Sequence, residues 1–79
     1  MSTTFTRIYP NAKILGINEI LIEGCPRWYS TLITEYDDII AIAKRGTDGT
    51  GRKIRMINLK IQDENGIIRY PDFTPYSLI

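Results

Sequence analysis

Apolar and polar residues alternate most clearly in the segment 52–62. Its apolar positions recur at every second residue and are separated by polar ones, Ile57, Leu59 and Ile61 against Asn58, Lys60 and Gln62. This period of two predicts a β-strand with one buried face. The segment 63–66 then predicts a turn and 67–70 a returning strand, in a hairpin whose four-residue loop pairs Ile61 with Ile68.

Shorter extended segments precede this hairpin. Phe5 to Tyr9 alternates well enough to predict a strand with both rings on one face. The segment 13–23 is rich in Ile and Leu and predicts either two short strands hinged near Gly16 or one bulged strand. Arg27-Trp28-Tyr29 predicts a short strand whose two rings point to opposite faces, so one of them is expected at a surface or an interface.

A helical pattern occupies residues 34–45. Thr34 is a good N-cap and forms a capping-box-like pair with Asp37. Four apolar or aromatic residues share one stripe at helical spacing, namely Tyr36, Ile39, Ile40 and Ala43. The basic residues Lys44 and Arg45 favour the last turn, and Gly46 favours a C-terminal end directly after it.

This element order predicts an α+β fold in a single domain over residues 1–79. A small mixed or antiparallel sheet with one helix packed across it accounts for the order economically. A chain of 79 residues buries only a thin core, so oligomerisation would be a natural supplement to its stability. The segment 71–79 carries four large apolar residues and is expected to pack against the domain.

Charge and composition exclude several classes of protein. Ten basic and nine acidic residues give a net charge of +1, which argues against a nucleic-acid-binding role. No apolar run approaches the roughly 18 residues that span a bilayer, and residues 1–4 are polar, so we expect neither a membrane partner nor a signal peptide. A single cysteine, Cys25, excludes an internal disulfide and indicates the reducing cytoplasm.

Catalytic chemistry has few candidate residues. The chain has no histidine, which removes histidine-activated nucleophiles and histidine-containing zinc sites. Cys25 has only Arg27 beside it in sequence and is expected to behave as a small apolar residue. The carboxylates at 35, 37 and 38 suit the start of a helix, and 63–66 lacks the ligand pattern of a calcium loop. We therefore predict a protein that is not an enzyme and has no catalytic residue, cofactor or metal site.

Two groups of residues are candidates for binding. Aromatic residues interleaved with arginine are typical of protein-interaction hot spots, and this group comprises Arg27, Trp28, Tyr29, Arg69, Tyr70, Phe73 and Tyr76. The second group lies in a glycine-rich basic loop whose backbone amides could surround an anion, and it comprises Arg45, Arg52, Lys53 and Arg55. This loop follows a helix and enters a strand, the reverse of a P-loop, and its structural alternative is a helix cap followed by a solvated connector.

Two segments resemble a known family. Residues 20–28, ILIEGCPRW, and residues 33–43, ITEYDDIIAIA, are similar to the bacterial ubiquitin-like repeats called multi-ubiquitin domains. The resemblance implies a β-grasp-like topology, which agrees with the element order, and it implies no activity. The C-terminal Gly-Gly of ubiquitin-like conjugation is absent, so conjugation is not implied.

Two hypotheses of function remain open. The first is a non-catalytic interaction module that binds a protein partner or a second copy of itself, as an inhibitor, adaptor or assembly subunit, through the aromatic and arginine residues. The alternative is an oligomeric binder of a nucleotide or another phosphate-containing small ligand, through the basic loop.

Overall fold

The computed structural model describes residues 4–33 and 35–79, and for residues 31–33 it describes the backbone alone. Over this range the chain has the predicted α+β class, with two α-helices where one was expected. The elements in chain order are α1 (Thr4–Ile8), β1 (Lys13–Ile22), β2 (Trp28–Ile33), α2 (Tyr36–Arg45), β3 (Ile54–Gln62), β4 (Ile68–Arg69), β5 (Asp72–Phe73) and a 3₁₀ helix (Pro75–Leu78).

The sheet is antiparallel at every strand pair and has the order β2-β1-β3-β4, with β5 also pairing with β3. Of the two interpretations of the segment 13–23, one bulged strand is correct. Its register shifts between Ile14 and Gly16 and again after Ile17. Each bulge adds one residue, so Ile14, Ile17 and Ile20 all pair with the buried row of β3 although they are three residues apart.

The core lies between this sheet and the helices. Its centre is the predicted alternating row of β3, where Ile57, Leu59 and Ile61 each have no exposed surface. Helix α2 adds Ile39, Ile42 and Ala43, all of them buried. Alternate positions from Ile57 to Ile61 therefore contribute to one apolar layer, as the period of two predicted, whereas the buried Ile54 lies outside this alternation.

Helix α2 is rotated relative to the predicted stripe. Tyr36 was expected in the core and is 55% exposed, while Ile42 is buried instead. The predicted cap at Thr34 lies outside the described residues. The C-terminal prediction is confirmed, because Gly46 adopts a φ of 65° and its N–H donates to the carbonyl of Ile42 at 3.1 Å. Among the helices that the structure describes, none has the length and apolar character needed to cross a bilayer.

The N-terminal segment is a helix, so the predicted strand at residues 5–9 is wrong. The N–H of Tyr9 donates to the carbonyl of Phe5 at 2.8 Å. Residues four apart share a face in a helix and in a strand alike, so the spacing of the two rings could not separate these structures.

Both rings pack on Phe73, with ring centroids 5.5 Å (Phe5) and 6.2 Å (Tyr9) from it. Phe73 is only 4% exposed and therefore belongs to the core, although it was predicted to contact a partner.

The hairpin between β3 and β4 also differs from its prediction. Ile61 pairs with Arg69, one position beyond the predicted partner. The N–H of Asp63 donates to the carbonyl of Ile67 at 3.0 Å, so the loop is 64–66 and has three residues where four were predicted. The Asp63 carboxylate accepts hydrogen bonds from the N–H groups of Asn65 and Ile67, both at 2.9 Å, and from Arg69 Nε at 2.7 Å. These bonds stabilise the observed loop because a side-chain acceptor satisfies its backbone donors, and the prediction considered only the pairing of apolar residues.

Candidate functional site

The burial of the helix-covered face of the sheet decreases from β3 toward the start of β2. A row of cross-strand neighbours crosses this face from Ile57 in β3 through Ile20 in β1 to Tyr29 in β2. Ile57 has no exposed surface, Ile20 is half-buried and Tyr29 is 49% exposed. Apolar surface is therefore uncovered at Tyr29, the second residue of β2.

Trp28 lies on the opposite face of the sheet, as strand alternation predicted. It neighbours Leu21, which in turn neighbours Met56, and all three side chains are half-buried. Farther along, this face becomes polar, where Asn18 Nδ2 donates to Asn58 Oδ1 at 2.8 Å. The apolar part of this face is thus next to Trp28 and β2.

Strand β2 forms one edge of the sheet, and among the described residues only β1 pairs with it. Its sequence, WYSTLI, contains neither a charge nor a proline. Edge strands usually carry such residues because they prevent pairing with another chain. The opposite edge has this protection, since β4 and β5 contain two residues each, include Arg69 and Asp72, and are separated by a segment with Pro71. We refer to the unprotected outer side of β2, with its two rings, as the β2 edge.

Polar side chains lie beside the phenol of Tyr29. Arg52 donates from Nη1 to Cys25 Sγ at 3.1 Å and from Nη2 to Asp48 Oδ2 at 3.1 Å. Hydrogen bonding with the neighbouring Cys25 raises the pKa of Tyr29 above its ordinary value of 10.0. The arginine beside Cys25 is therefore Arg52, 27 positions away in sequence, rather than the predicted Arg27.

An apolar groove of about 290 Å³ begins at Ile20, the cross-strand neighbour of Tyr29. It is lined by the isoleucines Ile20, Ile22, Ile42 and Ile54 and bordered by Arg45, Thr47 and Asp48. The sequence pattern marks these isoleucines only as apolar, and the position of α2 on the sheet decides that they border a groove. The groove extends the uncovered apolar surface from the β2 edge to the C-terminal end of α2.

The glycine-rich loop is closed by its own hydrogen bonds. The Asp48 carboxylate accepts from the hydroxyl and the N–H of Thr50, at 2.6 and 2.9 Å, and these bonds lower the pKa of Asp48. The same carboxylate pairs with Arg52. A carboxylate at this position reduces the positive potential that a phosphate would meet.

The remaining basic residues of the predicted anion site are exposed. Arg45 lies on the rim of the groove, and Lys53 and Arg55 lie around the start of β3. The nucleotide hypothesis stays a prediction.

The structure divides the predicted aromatic and arginine surface. Three of its residues stay together at the β2 edge, namely Arg27, Trp28 and Tyr29. Arg69 and Tyr70 lie at the opposite edge, three strand spacings or roughly 14 Å away. Tyr76 lies on the 3₁₀ helix and is 85% exposed. Of the first group, Tyr29 shares a face with the groove, because its cross-strand neighbour Ile20 lines it.

A second cleft, of about 220 Å³, lies between the segment 8–12 and the β3–β4 hairpin. Arg69 and Asp63 form an ion pair there at 2.7 Å, and Asn11 Nδ2 donates to Glu64 at 3.1 Å. Its polar side chains thus satisfy one another and stabilise the hairpin.

This arrangement predicts a pH dependence of stability. Arg69 and then the N–H of Ile67 hold the pKa of Asp63 below its ordinary range. A carboxyl whose folded-state pKa lies below the unfolded value of about 3.9 stabilises the fold above that pH, and this contribution is lost as the pH falls through the folded-state pKa. We expect Asp63→Asn to lower the melting temperature at neutral pH and to have a much smaller effect near pH 2. Thermal melts across this pH range provide the measurement, with the exposed Glu23→Gln as the control. The loss of melting temperature relative to wild type should shrink at low pH for Asp63→Asn and not for Glu23→Gln. The same pH dependence in both variants would contradict the prediction.

No protein-family model, curated protein or solved structure matches this chain. The candidate site is therefore defined by its own geometry, which combines a free strand edge, two rings on opposite faces and an adjoining apolar groove.

Proposed function

We propose that this protein is a non-catalytic interaction module that binds a protein partner along strand β2. The observation that carries the proposal is the uncharged outer edge of β2, flanked by a large ring on each face. A partner strand would pair with the outward N–H and C=O groups of β2, as in recognition by strand addition. Its side chains would pack against Trp28 on one face and Tyr29 on the other.

The two rings are suited to anchor such a partner. Tyrosine and tryptophan are enriched among interface residues whose truncation costs the most binding energy. Tyr29 is 49% exposed, so its ring is accessible to a partner. The groove beside Tyr29 adds apolar area. The exposed Arg27, directly before β2, adds a positive charge at one end of the strand.

The non-catalytic part of the proposal is supported by the state of the carboxylates. Hydrogen bonds within loops lower the pKa of both Asp48 and Asp63, which makes them weak general bases at neutral pH. The absence of histidine removes the most common alternative base. The β-grasp resemblance of the segments 20–28 and 33–43 remains a prediction and adds no activity.

Truncation of either ring tests this function. We expect Trp28→Ala and Tyr29→Ala each to weaken partner binding by about 2 kcal/mol, or roughly 30-fold, with the fold retained. Without an identified partner, the probe is anilinonaphthalene sulfonate, a dye that fluoresces on uncovered apolar surface. Dilute wild-type chain should enhance its fluorescence, and each truncation should reduce the enhancement. Tyr70→Ala removes an equally exposed ring from the opposite edge and should leave most of the signal.

The opposite results would remove the basis of this proposal. A dilute chain that does not enhance the dye has no uncovered apolar surface at β2. A signal that depends on Tyr70 and is independent of Trp28 and Tyr29 would place the apolar binding surface at the other edge.

A further inference from the structure

We infer that the partner at the β2 edge is a second copy of this chain, joined by antiparallel pairing of the two β2 strands about a two-fold axis. This inference rests on the protein-binding function proposed above. The product is one continuous antiparallel sheet, in which two copies of the order β4-β3-β1-β2 meet at their β2 strands. In this arrangement, the unprotected edge of each copy covers that of the other.

The charges at the two ends of β2 favour this orientation. Arg27, directly before the strand, is exposed, and Glu35, two positions after it, is also exposed. Asp37 and Asp38 follow in the first turn of α2, so one end of β2 is basic and the other acidic. Antiparallel pairing of two copies brings a basic end beside an acidic end twice, whereas parallel pairing would bring like charges together.

Symmetry and the two rings restrict the register. A two-fold axis perpendicular to the sheet keeps both copies facing the same way, so each position pairs with one that points to the same face. Among the two-fold registers that keep Trp28 and Tyr29 within the paired segment, the longest places Ser30 opposite Ser30 of the partner subunit and pairs residues 28–32. Arg27 then lies at the end of the paired segment where β2 of the partner subunit approaches Glu35 of the partner subunit.

Two further features favour a closed dimer. The net charge of each copy is only +1, so two copies repel each other weakly. The other edge of the sheet is formed by the two-residue strands β4 and β5, with Pro71 between them. A proline and short strands are features that stop further edge pairing, so assembly ends at two copies.

Sedimentation velocity of the full chain tests the inference. Between roughly 10 μM and 1 mM, we expect a concentration-dependent monomer–dimer equilibrium. Arg27→Glu should weaken the dimer about tenfold at low salt because it replaces two attractions with two repulsions. Arg7→Glu makes the same charge change at an exposed position on α1 and should have no comparable effect. Combining Arg27→Glu with Glu35→Arg should restore association by exchanging the charges at the two ends.

Disulfide cross-linking tests the register independently. In a Cys25→Ser background, Ser30→Cys should form a linked dimer under mild oxidation because the paired Cα atoms would be about 5 Å apart, within the range that a disulfide spans. Lys60→Cys, exposed on β3, is the control and should link far more slowly. Equal linking at the two positions, or a dimer insensitive to Arg27→Glu, would overturn the inference.

The failures of the two proposals are distinguishable. A wild-type chain that stays monomeric to 1 mM overturns self-pairing. If its dye signal still depends on Trp28 and Tyr29, the β2 edge binds a different protein and the proposed function stands. If that monomer is also silent toward the dye, both proposals fail.

Discussion

Phe73→Ala is expected to lower the free energy of unfolding by about 3–5 kcal/mol, and Tyr76→Ala by less than about 0.5 kcal/mol. The two residues are three positions apart, but Phe73 is 4% exposed and Tyr76 is 85% exposed. Truncation of Phe73 removes the ring on which Phe5 and Tyr9 pack, and with it the contact that joins α1 to the sheet. Truncation of Tyr76 removes surface that water already contacts.

Urea denaturation followed by circular dichroism measures this difference. A domain of 79 residues has a total stability of only roughly 4–12 kcal/mol, so we expect Phe73→Ala to be partly unfolded in buffer. Phe73→Leu, which retains most of the apolar volume, supplies a second variant with a smaller cost. Similar costs for Phe73→Ala and Tyr76→Ala would contradict the assignment of Phe73 to the core.

Ile39→Ala is expected to cost about 2–5 kcal/mol of unfolding free energy, clearly more than the same change at Ile40. Ile39 has no exposed surface and packs between α2 and the sheet, whereas Ile40 is half-buried. The comparison is closely matched, because both variants replace isoleucine by alanine within one helical turn. Their difference therefore reports the orientation of α2 rather than helix propensity.

Chemical denaturation of both variants provides the measurement. A larger loss for Ile40→Ala would mean that α2 presents the stripe predicted from sequence, with Tyr36 turned toward the sheet. That orientation would also turn Ile42 away from its present position in the lining of the groove beside Tyr29. This prediction therefore tests the candidate site as well.

Helix α2 and strand β3 could be predicted from the sequence because each has a regular period and local end signals. The alternation of β3 holds through Ile57, Leu59 and Ile61, and Gly46 ends α2 where its left-handed conformation is required. These features depend on interactions between residues close together in the chain. Opposite directions for Trp28 and Tyr29 followed from the same local rule, so the two rings of the candidate site were correctly identified as facing different surfaces.

Interactions between distant segments decided the remaining features. The spacing of Phe5 and Tyr9 fits either a helix or a strand. Their packing on Phe73 could not be predicted from this spacing, because Phe73 is distant in sequence. The bulges of β1 are fixed by pairing with β3, which aligns isoleucines three positions apart on the buried face. The loop of the β3–β4 hairpin follows from the hydrogen bonds of the Asp63 carboxylate.

The site itself depends on the order of the strands. Sequence composition grouped the aromatic residues near 28 with those near 70, but β1 and β3 separate them in the sheet. The same order leaves β2 at an edge of the described sheet and places Arg52 beside Cys25. The sequence by itself therefore determined the class of the fold, the main strand and helix, and the opposed directions of the two rings, because these follow from local periodicity. Only the tertiary structure decided which strand edge is free and which aromatic residues form the core, because both depend on which distant segments pair.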